Sequence, residues 1–263
     1  MHRPSQLMLV ALVALVALAA AAAAGAAERA TLPGADFTPV VAPGGAVNTV
    51  HVAAFELDRR PVTNGEFLAF VAAHPAWRRG AAPALLVDGQ YLAHWAGAER
   101  LGPDVDAEQP VTHVSWFAAR AYCAATGGRL PTWYEWEYAA AADETRADAR
   151  RDPAYRERIL GWYALPAGRR LPPVGKTPRN FYGVEDLHGV IWEWVEDFGG
   201  MMISGDSRTQ GDPDKLQFCG AGALSAQIRD DYPILMRMAF LSSLEANYTT
   251  STLGFRCAGG APP

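Results

Sequence analysis

The chain has few cysteines and no large excess of charge of one sign. Of its 263 residues only three are cysteine, and 23 Lys and Arg against 28 Asp and Glu give a formal net charge of −5. The basic residues are spread along the chain, so we expect no nucleic-acid partner. Half of the residues are apolar and 19% are charged, a composition that excludes a disordered or collagen-like chain.

Sequence patterns for several enzyme classes are also absent. No C-x-x-C, H-x-H or H-x-x-x-H spacing occurs, so no zinc site is predicted. Neither a Ser/His/Asp order, a phosphate loop nor a dinucleotide fingerprint points to another enzyme class. His113, in T-H-V-S-W, is predicted to be a half-buried hydrogen-bonding residue.

The N-terminus has the pattern of an export signal. Arg3 precedes an uninterrupted apolar run over 7–24, and small residues over 24–26 suit a cleavage site. We predict a signal peptide over 1–26, with a retained membrane anchor as the alternative. No other stretch is long and apolar enough to span a bilayer. The mature protein is therefore expected in the periplasm, free of the membrane after signal cleavage, where disulfides are permitted.

The remaining chain is predicted to form one α+β domain with much irregular structure. A lead-in over 27–50 precedes the domain over 51–263, and strand character begins at 51–57. Thr63 or Asn64 is the expected N-cap of a helix over 65–73.

Two further helices and a charged stretch follow. Ser115 is expected to cap a helix over 116–126, and Thr132 begins another through the capping box T-x-x-E. The charged stretch 143–160 is typical of a solvated helical face.

Four segments occur in this order along the chain: P-V-T-N at 61–64, V-S-W-F-A-A-R-A-Y-C-A-A-T-G-G-R-L-P-T-W-Y-E-W-E-Y-A-A at 114–140, Y-G-V-E-D-L-H-G-V-I-W-E-W-V-E-D at 182–197 and L-G-F-R-C-A at 253–258. Together they resemble the formylglycine-generating enzyme (sulfatase-modifying factor) family. The resemblance implies that family's variant of the C-type lectin fold, with little regular secondary structure. The stretch 211–226 and the signal peptide look most like the NirV-type proteins associated with copper nitrite reductases.

The same resemblance indicates which residues occupy the family's cysteine positions in this chain. Active members hold copper(I) with two thiolates five residues apart, and ungapped counting back from G-F-R-C-A places these positions on Ile228 and Pro233. Neither side chain can bind copper(I), so no catalytic residue is predicted. Cys123 and Cys257 fall on family disulfide positions; the alternative is two buried, reduced cysteines.

Two metal sites are predicted. Asp186, Gly189, Ile191 and Glu193 match a family calcium site, in which two side-chain oxygens and two carbonyls bind the ion. The alternative is that Asp186 and Glu193 only hydrogen-bond the W-E-W turn. A soft-metal site for copper(I) is hypothesised from one thiol and two thioethers, against the alternative of inert buried sulfur: Cys219, Met236 and Met238.

These features favour a protein without the family's copper chemistry. Ser225 and Tyr232 flank the lost cysteine pair and are expected to line a residual groove. We expect an accessory, maturation or copper-handling factor that binds a periplasmic protein or peptide, with copper nitrite reductase as the candidate partner. The alternatives are an oxidoreductase acting through a remodelled site near Cys219 and a lectin-like binding module.

Overall fold

A computed structural model describes residues 28–41, 49–166, 168–199 and 231–260. Its helices of eight or more residues are α1 (Asn64–Ala73), α2 (Trp116–Ala125), α3 (Trp133–Ala140), α4 (Pro153–Tyr163) and α5 (Tyr232–Ser242), and a short 3-10 helix spans Pro75–Trp77. The strands are β1 (Arg29–Leu32), β2 (Ala35–Phe37), β3 (Val50–Val52), β4 (Phe55–Asp58), β5 (Trp192–Glu193), β6 (Leu253–Gly254) and β7 (Ala258–Gly259). Short elements joined by long irregular segments match the predicted α+β class with little regular structure.

The strands form three small sheets. β1, β4 and β7 make an antiparallel sheet in that order, β2 pairs with β3, and β5 pairs with β6 in parallel. In the largest sheet Arg29 lies opposite Asp58 and Leu32 opposite Phe55. Part of the segment predicted as a lead-in thus supplies two strands that pair with the rest of the domain.

Local capping explains where three helices begin. The Thr63 side chain accepts from the Glu66 N–H while the Glu66 carboxylate accepts from the Thr63 N–H, which is the capping box that starts α1. Ser115 caps α2 as predicted. Thr132 and Glu135 form the predicted capping box of α3.

The charged stretch differs from its prediction. Only its second part is helical, because α4 begins at Pro153 behind the N-cap Asp152. Before that point, Asp143 accepts hydrogen bonds from the backbone of Thr145 and Arg146 and pairs with the Arg146 guanidinium. Side chains that satisfy turn backbone in this way compete with a helix, so the segment stays irregular.

A large hydrophobic core gathers residues from every sheet. Trp95, Trp133, Trp136 and Trp194 are among its largest fully buried side chains. A Cys123–Cys257 disulfide crosses this core with both cysteines completely buried, joining α2 to the residue just before β7. None of the described helices is long and apolar enough to cross a membrane.

Candidate functional site

A buried ion pair lies at the centre of the domain. Arg256 donates from Nε and Nη2 to the two carboxylate oxygens of Glu193, each at 2.8 Å, and both side chains are fully buried. Trp136 Nε1 donates to the same carboxylate at 2.8 Å. The remaining guanidinium hydrogens reach the carbonyls of Asp58, Arg59 and Glu185. Because the two charges are paired and the guanidinium donates all of its hydrogen bonds, the ion pair can be buried in the core.

A second buried arginine anchors α5 to this centre. Arg237 Nη2 donates to the Glu193 carbonyl at 2.6 Å, and its guanidinium carbon lies 3.7 Å from the centre of a Trp136 ring. Burial lowers the pKa of Arg237 to about 10, so it keeps its charge at neutral pH. The aromatic face and the carbonyl replace part of the water that this cation has lost.

Three of the four residues predicted to bind calcium are already engaged by protein groups. Asp186 accepts from the backbone N–H groups of Gly175 and Thr177, and the Gly189 carbonyl accepts from Arg169. Glu193 is held by Arg256 and Trp136 as described above. Calcium prefers uncommitted oxygen ligands, and a cation beside two buried guanidinium groups is repelled.

In this arrangement the predicted calcium donors do not fit the ion. Their contacts also differ from the alternative, since Asp186 and Glu193 bond the 175–177 loop, Arg256 and Trp136 rather than the W-E-W turn. The backbone turns at Gly189, whose φ is +84° and where a Cβ would come within 2.3 Å of Trp162.

One of the two positions at which the resemblance places the family's cysteines is described, and it lies at the start of α5. Pro233 is the second residue of the helix, where a missing N–H costs nothing, and its carbonyl lies 3.5 Å from the Tyr163 hydroxyl. Tyr232 beside it is 41% exposed. Ile228 and Ser225 lie outside the described residues.

The sulfur groups predicted to bind copper(I) are only partly described. Met236 is 39% exposed, whereas Met238 is 2% exposed and packs in the core. Residues two apart on a helix point in widely different directions, and the structure does not bring these two thioethers together. Cys219 lies outside the described residues.

A cavity adjoins this part of the fold, and His188 is one of the buried polar residues that line it. His188 lies between the ring of Trp162, parallel at 6.0 Å, and the edge-on rings of Trp136 and Tyr155. Its Nε2 lies 2.9 Å from the Ala140 carbonyl, and because a carbonyl only accepts, Nε2 carries the proton. Burial lowers the pKa of His188 to about 4, so the ring is neutral at pH 7.

His188 faces two neighbouring spaces. The larger, of about 80 Å³, lies between α4 and the loop 177–188. The smaller, of about 20 Å³, continues to Pro233 and Ile234, and the two share Ala140, Tyr155 and His188 as lining residues. The three shared residues therefore separate the larger cavity from Pro233, where the resemblance places a cysteine. Sequence spacing singled out no role for His188, because its partners come from distant segments.

A fully buried carboxylate was also missed by sequence reasoning. Glu137 accepts from the Val40 N–H at 2.7 Å and from Trp133 Nε1 at 2.8 Å, with Arg150 at 3.5 Å. Burial raises the pKa of Glu137 to about 7. Its position four residues after Trp133 places both on one helix face, which is the one local signal for this contact. Glu137 ties the N-terminal segment to α3.

Two histidines meet elsewhere in the molecule. The rings of His94 and His113 have centroids 5.0 Å apart, and His94 Nε2 lies 3.3 Å from the Asn64 side-chain oxygen. Burial lowers the pKa of His94 to about 4 and also lowers that of His113. His113 is half-buried as predicted, but its pairing with His94 was not foreseen, since the two are 19 positions apart without a ligand motif.

Comparison with known proteins gives a family match and several similar proteins. The profile of the Sulfatase-modifying factor enzyme 1-like domain matches residues 18–261. The chain is 31% identical over 269 residues to the formylglycine-generating enzyme of Streptomyces coelicolor, covering 82% of this chain and 81% of that protein. It is 35% identical over 164 residues to the hercynine oxygenase of Mycobacterium tuberculosis, covering 56% of this chain but only 39% of that protein.

A solved structure supports the fold alone. The crystal structure of CarF superposes with a TM-score of 0.52 at 18% sequence identity and covers 90% of this chain and 99% of that one. At that identity the likeness extends to chain topology and not to chemistry.

Proposed function

This chain belongs to the family of the Sulfatase-modifying factor enzyme 1-like domain, and we propose that it is a non-catalytic member of that family. Its proposed role is that of an accessory, maturation or copper-handling factor for a periplasmic copper nitrite reductase system. Export by the signal peptide over 1–26 and the subgroup resemblance support the compartment and the partner.

The observation that carries the loss of catalysis is Pro233 at the first turn of α5. Its ring offers no donor to copper(I), which prefers sulfur, and it stands where the resemblance places one of two thiolates. The described cysteines, Cys123 and Cys257, are joined to each other and provide no free thiolate. Cysteine oxidation by the family's copper chemistry is therefore not expected from this chain.

A peptide or protein partner is proposed to bind beside this position. Tyr232 and Met236 lie four residues apart on one face of α5, and both are exposed at 41% and 39%. Tyrosine and methionine are enriched at binding surfaces because they supply large contact area with adaptable packing. We call this pair the α5 contact face.

The test is direct binding of the mature protein to purified periplasmic copper nitrite reductase. Tyr232→Ala is expected to weaken binding at least tenfold, as for the loss of an interface anchor. The matched control is Tyr248→Ala, since Tyr248 is 50% exposed away from α5 and its loss should leave binding within about twofold. No measurable binding, or equal losses for the two variants, would remove the partner from the proposal.

Copper enters this proposal as cargo. Tight copper(I) binding that disappears in Cys219→Ala would support copper handling. Unchanged binding in that variant, or none in either protein, would end that part of the proposal and leave the accessory role to the binding experiment.

An oxidoreductase acting through a remodelled site near Cys219 is the second candidate. It is favoured by the names of the relatives, a formylglycine-generating enzyme and a hercynine oxygenase, of which the latter is matched over less than half of its length. Incubation of a cysteine peptide with copper(I), oxygen and a thiol reductant distinguishes the candidates. Appearance of an aldehyde in place of the thiol would support the enzyme, and an unchanged peptide the non-catalytic role.

A further inference from the structure

The cavity beside α4 holds a buried acceptor that no protein group satisfies. His188 is 7% exposed, and its Nε2–H is fixed on the Ala140 carbonyl, so Nδ1 carries a free lone pair. Nδ1 has no hydrogen-bond partner among the described residues. Leaving such an atom buried and unmatched is unfavourable, and the cavity next to it is where a partner can sit.

The acidic groups that line the same cavity are all committed. Asp143 is held by Thr145 and Arg146, and Glu144 pairs with Arg158 through both oxygens. Asp186 accepts from two backbone N–H groups. A cationic ligand would therefore find no free counter-charge here, and burying it would be costly.

The neutral polar groups of the lining are committed as well. The Asn180 amide donates to the Ala139 carbonyl, and its oxygen accepts from two backbone N–H groups. The Tyr155 hydroxyl donates to the Ala140 carbonyl at 2.6 Å, and Thr177 Oγ1 accepts from the Asp186 N–H. Among the lining side chains, His188 Nδ1 is the buried acceptor without a hydrogen-bond partner in the described part of the chain.

Size and surroundings limit what can fill this space. The cavity of about 80 Å³ is larger than the roughly 30 Å³ that one water occupies in the liquid, and it is smaller than engineered cavities of about 150 Å³ that take benzene. The rings of Trp162 and Tyr155 line the same cavity and offer apolar surface to a ligand. A flat five-membered ring suits this volume.

We propose that the His188 cavity is a binding site for a small, neutral, flat molecule or side chain that carries one N–H or O–H donor. The donor hydrogen-bonds to His188 Nδ1, and the apolar body of the ligand packs against Trp162 and Tyr155. This site is independent of the accessory role proposed above, because it uses neither the α5 contact face nor copper.

Pyrazole is the probe for this site, since it is a neutral five-membered ring with an N–H. Thiophene, a ring of similar size without a donor, is its matched control. Long-range ¹H–¹⁵N NMR of the mature protein should show the His188 Nδ1 signal moving on titration with pyrazole and not with thiophene. Equal responses to the two rings, or no movement at the highest soluble pyrazole concentration, would overturn the proposal, and this comparison needs no variant.

A variant pair tests the residue itself. His188→Phe keeps an aromatic ring and removes the acceptor, so pyrazole affinity should fall about fivefold to tenfold, the usual worth of one hydrogen bond. His94→Phe, at a half-buried histidine outside this cavity, should leave that affinity unchanged. Circular dichroism establishes that each variant is folded, and unaltered pyrazole affinity in folded His188→Phe would contradict the assignment.

Discussion

Replacing Arg256 by methionine is the most direct test of the buried ion pair. Methionine fills much of the space of the arginine stem but makes none of its hydrogen bonds. Arg256 makes five of them, two to the Glu193 carboxylate and three to backbone carbonyls. In the variant, Glu193 remains in the core with the Trp136 N–H as its described side-chain donor.

The expected cost follows from the burial of both partners. Removing one member of a buried pair costs about 3–5 kcal/mol, because the other charge is left uncompensated. Both side chains here are completely inaccessible to solvent, and three backbone carbonyls also lose a donor. We therefore expect the free energy of unfolding to fall by about 5 kcal/mol. In a domain of this size, that loss corresponds to a fall in Tm of roughly 10–20 °C.

The assay is urea unfolding of wild type, Arg256→Met, Glu193→Leu and the double variant. The double variant is expected to recover about 1–4 kcal/mol relative to Arg256→Met, since it no longer buries an unpaired carboxylate. A loss below about 1 kcal/mol in Arg256→Met, or a double variant whose loss is the sum of the two single losses, would refute the reasoning.

A separate melting experiment with EDTA and calcium tests whether Glu193 has a second partner. Since its oxygens are held by Arg256 and Trp136, we expect EDTA to leave the Tm of the wild-type protein unchanged. A Tm that falls with EDTA and recovers with calcium would show a bound calcium ion, and loss of that recovery in Asp186→Ala would assign the ion to the predicted site and contradict the ion-pair account.

Three further predictions concern stability. The Cys123–Cys257 disulfide closes a separation of 134 residues, so the Cys123→Ala/Cys257→Ala variant should lose up to about 5 kcal/mol in urea unfolding, and a loss under about 1 kcal/mol would contradict a constraining role. The pKa of Glu137 is raised from 4.5 to about 7, so its contribution to stability is fully present below pH 4.5 and declines as the pH rises through 7. Glu137→Gln should flatten the dependence of Tm on pH in that window, and an unchanged profile would contradict the assignment. Thr132→Ala removes the side-chain half of a capping box and should cost about 1 kcal/mol. The control is exposed Thr145→Ala, which removes one side-chain hydrogen bond and no helix cap, and it should change stability by less than about 0.5 kcal/mol.

Helix starts could be predicted from the sequence because their determinants are local. Thr63, Ser115 and Thr132 each accept from a backbone N–H three residues on, and that spacing can be seen in the chain. The charged stretch was misjudged for a related reason. A high density of charge predicts an exposed segment, but the Asp143 carboxylate accepts hydrogen bonds from the backbone of a turn. The amino-acid composition of the segment does not predict that contact.

The site residues missed by sequence analysis depend on contacts between distant segments. Glu137 meets Val40 across 97 positions, and Arg237 meets Glu193 across 44. His188 becomes a buried acceptor only because Ala140 and Trp162 close around it. No spacing rule predicts such contacts, since each is fixed by how the irregular segments pack.

Three of the four segments that resemble the family meet in one buried cluster. Trp136 comes from R-L-P-T-W-Y-E-W-E, Glu193 from W-E-W and Arg256 from G-F-R, and the Trp136 and Arg256 side chains both donate to the Glu193 carboxylate in the core. Changing any one of them leaves a buried polar group unmatched, so this cluster is constrained by stability whether or not the chain catalyses a reaction. Pro233, at the start of a helix, is under no such constraint. A chain can therefore keep every family motif and lose the thiolates, and its activity must be judged from positions 228 and 233 rather than from the motifs that establish its fold.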